Sequence, residues 1–466
     1  SIQQENNNFM ILPLYAALPP EEQLRVFQPT PAGKRKFILS TNIAETSVTI
    51  SGIKYVVDSG FVKMRLISPV TGVEMLKVVP VSKSQANQRA GRAGRESAGK
   101  CFRLYTEDTF ENHLEVDTPP EIQRINVAQV LLELKMLGVA SIQSFPFVTP
   151  PSAIALRKAF ELLLMLSALQ KDQSLTEHGR RMVLLPLDPI FSHLLLKSAD
   201  YNCVSEALTA VSVLSAESLF LQPHGEHDKA SAAQAHKAFA LRDGDLPSMV
   251  GLYNSWLKAN KDKKWAARNF LSQRSLQHAC SVREQLCALV RSHETLHSRL
   301  NPDISCAPER EPFLRCLLAG LFLNTARRAD TASVANTVST VTSGSRFSFS
   351  KQSSSNSTSS STSEQLTAPY RTLRGRQMVH IHPSSVLFST QHRYSYATPT
   401  QSTNNSNNSS SGGSSKNSKQ RKERLPPLVV FTELLVTSKQ YMRTLTVVDE
   451  SWLQEELTPE QLLLLR

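Results

Sequence analysis

The chain has 466 residues, a formal net charge of +12 at pH 7 and 40% hydrophobic residues. A chain of this length exceeds what one hydrophobic core can organise, so we expect three or four domains. The positive charge favours a polyanionic partner such as nucleic acid over an acidic protein, and the lack of any run of about 18 apolar residues argues against a membrane partner.

Six cysteines are scattered along the chain without a C-x-x-C pair or matching histidines. Neither a disulfide framework nor a zinc site is therefore predicted, and we assign no metal ligand within this chain. Such thiols are typical of a reducing compartment inside the cell. The sequence begins at Ser1, in a polar run, and we expect further residues upstream.

Residues 9–58 alternate short apolar runs with helix-like segments, which is typical of an α/β layer. Apolar alternation around a Pro-Val-Thr-Gly turn predicts a protruding β-hairpin over 61–81, either a wedge against a nucleic-acid strand or a surface flap. We predict strands over 9–15, 36–40, 54–58 and 100–105 and a helix over 20–27.

The segment from Gln88 to Arg95 places arginines at every third position, with Gly91 and Gly94 between them. On a helix or at a helix entry, this spacing points Arg92 and Arg95 the same way to within roughly a sixth of a turn. Both guanidiniums could then reach one polyphosphate, and the glycines allow close approach to a neighbouring element or ligand. A solvated basic face is the alternative.

Residues 40–50 lead from a predicted strand directly into small hydroxyl-bearing side chains. Hydroxyl groups and exposed amides at the carboxyl end of a parallel strand are where α/β proteins hold phosphates. The alternative is an N-cap followed by an ordinary helix, because Ser, Thr and Asn all cap helices well.

From residue 121 the apolar spacing becomes helical. Two helices over 127–137 and 152–169, followed by a short wing and turn that would contain His178, predict a winged-helix unit. A helical bundle follows, in which Trp256 and Trp265 are interpreted as core residues rather than base-stacking ones. The polar and basic run around Arg274 could line a nucleic-acid channel.

Beyond a further predicted helix at 313–327, the composition changes abruptly. Residues 331–368 and 397–424 are dominated by Ser, Thr, Asn and Gly, so we predict two disordered low-complexity insertions. Strand-like pieces flank them and predict a small β-barrel. These pieces are residues 376–382, 385–388, 428–437 and 442–448.

Together these segments resemble the carboxyl-terminal part of a DEAH-box/RHA ATP-dependent RNA helicase. STNIAETSVTI (40–50) is similar to motif V of that family, QRAGRAGR (88–95) to motif VI, and IHPSSVLF (381–388) and ELLVTSKQYMR (433–443) to its OB-fold signatures. The likeness is greatest to a branch with nucleolar members, which implies a nuclear location and, more finely, the nucleolus.

The resemblance implies a multidomain fold that combines α/β, all-α and β-barrel parts. The expected domains are a partial second RecA-like domain at 1–118 with its β-hairpin at 61–81, a winged helix at 119–188, a ratchet-like helical bundle at 189–300, and an OB-fold assembled from 301–330, 369–396 and 425–458.

The resemblance also implies residue roles. Gln88, Arg92 and Arg95 would face the γ-phosphate of ATP, with Gln88 placing the attacking water and Arg95 serving as an arginine finger. Phe27 would stack on adenine, and Ser51 stands where many members have an aspartate that touches the nucleotide, which implies looser base or ribose recognition.

RNA-binding roles are implied in the same way. Thr41 and Asn42 would grip the RNA backbone, Ser47 and Thr49 would couple that grip to the bound nucleotide, and Arg274 would contact RNA from the helical bundle. The implied partners are single-stranded or structured RNA or ribonucleoprotein, and a protein activator at the winged helix or OB-fold.

No G-x-x-x-x-G-K-[S/T] and no D-E-x-H occurs in the 466 residues. The phosphate-cradling lysine and the carboxylate that holds Mg²⁺ are therefore expected from a preceding RecA-like domain. The implied function is coupling of ATP or other NTP hydrolysis to translocation on RNA and remodelling of RNA. The alternative is a non-catalytic RNA-binding or adaptor module that lacks the first lobe.

Overall fold

A computed structural model of the chain describes residues 8–16, 18, 20–46, 48–67, 74–223, 226–329, 369–388, 425–436 and 439–465. These residues belong to two compact units, Ser1–Val127 with Ser144–Arg157 and Ala128–Gln143 with Lys158–Arg466. Both predicted insertions, the tip of the predicted hairpin and the candidate residue Ser47 lie outside the described residues.

The first unit alternates short strands and helices, as its sequence predicts. Its strands are β1 (Phe9–Leu14), β2 (Arg35–Ser40), β3 (Tyr55–Asp58), β4 (Phe61–Ile67), β5 (Glu74–Pro80) and β6 (Lys100–Arg103). Its helices are α1 (Pro20–Leu24), the 3₁₀ turn Arg25–Phe27, α2 (Ile43–Thr46), α3 (Lys83–Ala90), the π turn Thr109–His113 and α4 (Glu121–Arg124).

Two of the strand pairs in this unit are parallel. β1 pairs in parallel with β2, and β3 pairs in parallel with β6. β4 and β5 form an antiparallel hairpin with Phe61 opposite Pro80. Leu14 and Ser40 are opposite each other at the carboxyl ends of β1 and β2. The hydroxyl-rich segment thus begins at a strand end that α/β proteins commonly use for phosphates.

From Ala128 onwards the chain is mainly helical. The helices are α5 (Ala128–Met136), α6 (Ala153–Met165), α7 (Glu177–Val183), α8 (Pro189–Lys197), α9 (Val204–Ser215), α10 (Glu226–Lys237), α11 (Asp245–Lys258), α12 (Lys263–Arg268), α13 (Gln273–Ser292), α14 (Glu294–His297), α15 (Glu311–Gly320), α16 (Trp452–Glu456) and α17 (Pro459–Leu464), with 3₁₀ turns at Ser198–Tyr201 and Phe322–Asn324. None of the helices in the described part of the chain combines the length and apolar character needed to cross a membrane.

The described residues of the second unit also include seven short strands, which form one sheet in the order β11-β12-β9-β8-β7-β10-β13. Among the described residues the two end strands, β11 and β13, are not paired with each other, so the seven short strands as bounded do not close into the small barrel predicted from the sequence. The strands are β7 (Thr325–Arg328), β8 (Tyr370–Thr372), β9 (Met378–Ile381), β10 (Leu428–Val430), β11 (Glu433–Val436), β12 (Gln440–Arg443) and β13 (Thr446–Val448).

Bends in one long hairpin explain why this sheet differs from the prediction. Leu428 is opposite Val448 and Glu433 is opposite Arg443, so the pairs β10–β13 and β11–β12 share one register. Between the two strand pairs Thr444 has a φ of 51°, and neither arm of the hairpin is one continuous strand. In one arm β10 pairs with β7, and in the other arm β12 pairs with β9. Joined across the bends, the seven short strands make five longer ones, the number in a partly open OB-fold.

The strand predicted at 385–388 is wrong, because its polar groups bind a carboxylate instead of a neighbouring strand. Asp245, at the start of α11, accepts hydrogen bonds from the backbone N–H of Val386 at 2.7 Å and from Ser385 Oγ at 3.1 Å. It also accepts one from the backbone N–H of Leu445 at 2.8 Å. Residues 386–388 are consequently helical.

The wing predicted around His178 is also wrong. Thr176 Oγ1 accepts a hydrogen bond from the Gly179 N–H at 2.9 Å and begins helix α7, which includes His178. The Nε2 atom of His178 lies 2.8 Å from the Nδ1 atom of His193, and His193 is 1% exposed. Only an isolated β-bridge joins Leu169 to Leu175 where the wing was predicted.

This histidine pair makes the stability of the second unit depend on pH. Burial is the main cause that lowers the pKa of His178 from 6.5 to about 4 and that of His193 to about 3. The unfolded chain therefore binds protons that the folded unit excludes. The contribution of the two neutral histidines to the free energy of unfolding is complete above about pH 6.5, and it is lost as the pH falls towards the pKa values of the folded state.

Between about pH 7.5 and about pH 5 we expect His193 to account for a loss of about 2 kcal/mol in the free energy of unfolding. The three tryptophans, Trp256, Trp265 and Trp452, all belong to the second unit, so their fluorescence can follow its unfolding in denaturant. His193→Leu, which cannot titrate, is the control and should show a smaller difference between the two pH values. An unchanged difference would contradict the assignment to this pair.

Candidate functional site

The arginine segment begins on a well-capped helix and then leaves it. Ser82 Oγ accepts a hydrogen bond from the Gln85 N–H at 3.2 Å, and the Gln85 side chain accepts one from the Ser82 N–H at 3.2 Å. This capping box starts α3, which ends at Ala90. The expectation that Arg92 and Arg95 share a helix face is therefore wrong, because residues 91–94 form turns after the helix.

Arg89 is held inside the protein, although it belongs to the same three-residue pattern. Its Nε donates to Glu45 Oε2 at 3.0 Å, and its Nη1 donates to Asp58 Oδ1 at 2.7 Å and to the Phe61 carbonyl at 3.2 Å. Burial lowers the pKa of Arg89, but the bonds to Asp58 and Glu45 outweigh burial and raise it above its ordinary value. Arg89 thus joins α2, α3, the end of β3 and the base of the hairpin.

Two further groups complete this buried network. Tyr105 donates its hydroxyl to Asp58 Oδ2 at 3.1 Å, and burial together with that carboxylate raises the pKa of Tyr105 to about 12. A Cβ at Gly60 would lie 2.6 Å from the Tyr105 ring, and Gly60 has a φ of 78°, so a glycine is required there. A carboxylate ending the short strand β3 is the sequence signal that could have revealed the network.

Arg92 and Arg95 are not neutralised in this way. The Nη1 of Arg92 is buried and has no hydrogen-bond partner among the described residues, while Arg95 is exposed and donates to Thr49 Oγ1. Neither forms an ion pair with a carboxylate in the described part of the chain. Gln88 is exposed on the last turn of α3. Two cations and an amide are therefore available for an anion.

The glycines of this segment do not pack closely against the protein. A Cβ added at Gly94 would meet nothing within 4 Å, and one at Gly91 would meet only helix carbonyls at 3.4 Å. Close packing occurs instead at Gly99, where a Cβ would lie 2.1 Å from the Ala93 carbonyl oxygen. Gly99 therefore fixes the turn that carries Arg92 and Arg95, and sequence spacing alone did not reveal it.

The hydroxyl-rich segment contacts the arginine segment directly. Thr49 accepts the hydrogen bond from Arg95, and the Gly52 N–H donates to Glu96 Oε2 at 2.9 Å. Ser51, next to Gly52, is exposed. The structure therefore brings together Thr49 and Arg95, two residues singled out from the sequence, and Ser51 lies next to the second contact between the segments.

Thr41 and Asn42 lie at the start of the same segment. The Thr41 N–H donates to the Leu14 carbonyl at 3.1 Å, which joins the carboxyl ends of β1 and β2. Both Thr41 and Asn42 are exposed, and α2 follows them directly. Their polar side chains are therefore accessible to a backbone or phosphate ligand.

Phe27 ends the 3₁₀ turn after α1 and is 47% exposed, while its neighbour Val26 is fully buried. Lys36 Nζ donates to the carbonyls of Val26 and Gln28, at 3.0 and 2.5 Å, and these bonds hold the turn. The ring of Phe27 is therefore an accessible stacking surface on an anchored backbone.

Arg274 belongs to the second unit, where it is exposed on the first turn of α13. The neighbouring Gln273 accepts a hydrogen bond from Trp256 Nε1 at 3.1 Å, and Trp256 is fully buried. Trp265 packs edge-on against Phe239 with ring centroids 5.8 Å apart. Trp256 is thus a core residue, as interpreted from the sequence, whereas Trp265 is only partly buried.

Three protein-family profiles match the chain in succession. They are "Helicase conserved C-terminal domain" at residues 1–97, "Helicase associated domain (HA2), ratchet-like" at 188–249 and "Oligonucleotide/oligosaccharide-binding (OB)-fold" at 314–459. Their order agrees with the architecture that the sequence motifs imply.

Curated relatives extend the likeness over nearly the whole chain. "Probable ATP-dependent RNA helicase DHX35" of Homo sapiens is 37% identical over 446 residues, which is 96% of this chain and 52% of that protein. "Pre-mRNA-splicing factor ATP-dependent RNA helicase DEAH10" of Arabidopsis thaliana is 36% identical over 471 residues, 98% of this chain and 54% of that protein. The chain therefore spans about half the length of the curated relatives it matches.

Proposed function

We infer that this chain, which belongs to the DEAH-box RNA helicases and covers their carboxyl-terminal part, supplies one wall of a site where NTP hydrolysis is coupled to movement along RNA. The hydrogen bond from Arg95 to Thr49 carries this inference. It joins a segment with uncompensated cations to a segment with exposed hydroxyl groups. A change in the phosphate contacts of one segment would therefore alter the position of the other segment.

For hydrolysis, we assign the phosphate-facing roles to Gln88, Arg92 and Arg95. Gln88 orients the attacking water, and the two arginines bind oxygens of the γ-phosphate, with Arg95 as the arginine finger. Negative charge in this reaction must be met by fixed cations in a site that excludes water. Within the described part of the chain, Nη1 of Arg92 has no hydrogen-bond partner and Arg95 has no carboxylate partner, which fits such an anion.

The nucleotide is ATP or another NTP, which supplies the phosphoryl group and binds together with Mg²⁺. Phe27 stacks on the base, and Ser47, Thr49 and Ser51 lie along the nucleotide in this proposal. A serine at position 51 offers a neutral hydroxyl in place of a carboxylate, so selection among bases or riboses is loose. The metal and P-loop contacts come from a first RecA-like domain.

For RNA, we assign backbone contacts to Thr41, Asn42 and Arg274. The substrate is single-stranded or structured RNA, alone or in ribonucleoprotein. A protein activator binds at residues 119–188, the region predicted from the sequence as a winged helix, or at the OB-fold. A nuclear location is supported by the relative named as a pre-mRNA-splicing factor, and the nucleolus is the finer assignment.

The purified 466-residue chain should bind single-stranded RNA without hydrolysing ATP, because it contains neither G-x-x-x-x-G-K-[S/T] nor D-E-x-H. Fluorescence anisotropy with labelled oligouridylate of about 12 nucleotides, within the site size of an OB-fold, measures binding. A phosphate-release assay with Mg²⁺ measures turnover.

Turnover by the purified chain would contradict the division of the site between two lobes. A failure to bind RNA would contradict the RNA assignment. The non-catalytic adaptor is distinguished by the complete polypeptide: if that polypeptide carries no P-loop lysine before Ser1, the adaptor replaces the motor.

A further inference from the structure

A cavity of about 560 Å³ lies within the second unit. Its walls come from α6, the loop 166–176 that follows α6, the turn between β8 and β9, and α17. This volume is within the range of sites that bind small molecules, roughly 300 to 1,000 Å³. None of the residues that line the cavity is assigned to NTP or RNA above, so its ligand has to be inferred from the chemistry of its own walls.

Hydrogen bonds fix the backbone that forms these walls. Thr176 Oγ1 donates to the Ser167 carbonyl at 2.7 Å and closes the loop after α6. In the turn between β8 and β9, the Gln377 N–H donates to Thr372 Oγ1 and the Thr372 N–H donates to the Gln377 carbonyl, both at 2.9 Å. A capping box at Thr458 begins α17. The cavity is therefore preformed rather than dependent on a ligand.

Aliphatic side chains provide most of the cavity surface. Leu164 and Met165 belong to α6, Leu169 to the following loop and Leu464 to α17. None of the described residues that line the cavity is aromatic, so it lacks the rings on which nucleic-acid bases stack. The walls therefore suit a flexible aliphatic group better than a base.

One cation in the lining has no partner. Arg374, in the turn between β8 and β9, is half-buried and has no hydrogen bond or ion pair with another described residue. Burial lowers the pKa of Arg374, and the nearby Glu161 opposes this only in part. Glu161 is paired with Lys158 at 2.9 Å, while Lys171 and Glu460 add one exposed charge of each sign. One positive charge, that of Arg374, remains uncompensated.

A single uncompensated guanidinium selects the charge of the ligand. A carboxylate can accept two parallel hydrogen bonds from an arginine, and an attached aliphatic body would bury the apolar walls. A neutral ligand would remove water from Arg374 without replacing its hydrogen bonds, which is unfavourable. A polyphosphate or a nucleic-acid backbone would bring several negative charges to a cavity with one free cation.

We propose that this cavity binds an amphipathic organic carboxylate, with the carboxylate on Arg374 and the aliphatic body against the leucine and methionine side chains of α6, the loop and α17. The bound molecule would contact elements that are far apart in the sequence and hold them together. This inference goes beyond the proposed function and does not depend on it.

Displacement of a fluorescent probe from the 466-residue chain tests the ligand class. Anilinonaphthalene sulfonate, which joins apolar rings to one anionic group, emits strongly when it leaves water for an apolar site. Octanoate should displace it, whereas octanol and acetate at the same concentration should not, because each lacks one half of the ligand. From octanoate to butanoate, affinity should fall by about fourfold for each CH₂ removed.

Arg374→Met tests the anion contact. It should weaken octanoate binding by about 10- to 100-fold, the value of a hydrogen bond to a charged group. Arg180→Met is the matched control, because Arg180 is an exposed arginine of α7 that does not line the cavity, and it should bind octanoate like the wild type. Leu464→Ser, at an exposed position of α17, should weaken octanoate but leave the difference between octanoate and octanol intact.

Wild-type affinity of Arg374→Met for octanoate would overturn the proposal, and so would displacement of the probe by octanol as efficient as by octanoate. Displacement by an acetylated Leu-Glu-Leu amide, with octanoate inactive, would overturn the small-molecule assignment and give the cavity to an acidic segment of a protein partner. Binding of labelled oligouridylate should be unchanged in Arg374→Met. A failure of the wild type to bind oligouridylate would contradict the proposed function and leave this inference standing.

Discussion

Arg95→Ala in the full-length polypeptide is expected to lower RNA-stimulated NTP turnover by about 10³-fold or more, while leaving RNA affinity within about twofold. Arginines that meet developing charge on a transferred phosphoryl group contribute 10³ to 10⁵ in rate in related NTPases, roughly 4 to 7 kcal/mol. Arg95 has a hydroxyl partner, Thr49, and no carboxylate partner among the residues that the structure describes. Its charge therefore remains available. Steady-state phosphate release at saturating RNA and NTP measures the effect.

Thr49→Val is the matched control for this prediction. It removes the hydrogen-bond acceptor of Arg95 but leaves the guanidinium in place, so turnover should fall by about 10- to 100-fold at most, the value of one hydrogen bond to a charged group, and by less than in Arg95→Ala. Equal losses in the two variants would show that Arg95 acts only by holding the Thr49 loop. Unchanged turnover in Arg95→Ala would contradict the assignment of Arg95 as the arginine finger.

Local patterns were enough to predict the elements that carry the site. Alternation of apolar residues predicted β1, β2 and β3, and each is observed within a residue or two of its predicted bounds. The joint action of the hydroxyl-rich and arginine segments was implied by the family resemblance and not by local patterns; the bond between Arg95 and Thr49 joins the two segments. The strands were predictable because hydrophobic periodicity and short loops determine them.

The different surroundings of the three arginines could not be predicted in the same way. Arg89, Arg92 and Arg95 have identical spacing, but only Arg89 meets Glu45 and Asp58, which are 44 and 31 residues away in the sequence. The same limit applies to the segment 385–388, in which residues 386–388 are helical because the segment binds Asp245. Tertiary partners override local propensity at both places.

Arg89→Met is expected to destabilise the first unit by about 3 to 5 kcal/mol. Methionine fills much of the same space but leaves Glu45 and Asp58 buried without a cation, and an unpaired buried charge carries a penalty of this size. The side chain of Asp58 is fully buried, and that of Glu45 is 7% exposed. Hydrogen exchange of the amides in α2 and α3, followed by mass spectrometry, measures the loss because those helices carry the network.

Arg103→Met is the control within the same unit. Arg103 lies 3.9 Å from the centre of the Phe110 ring and donates to Asn87, so its loss leaves no charge buried. We expect about 1 kcal/mol or less from this change. Combining Arg89→Met with Asp58→Asn and Glu45→Gln should recover part of the stability, because the uncompensated charges are then gone. Equal destabilisation by the two single variants, or no recovery in the combination, would mean that Arg89 stabilises the unit through packing alone.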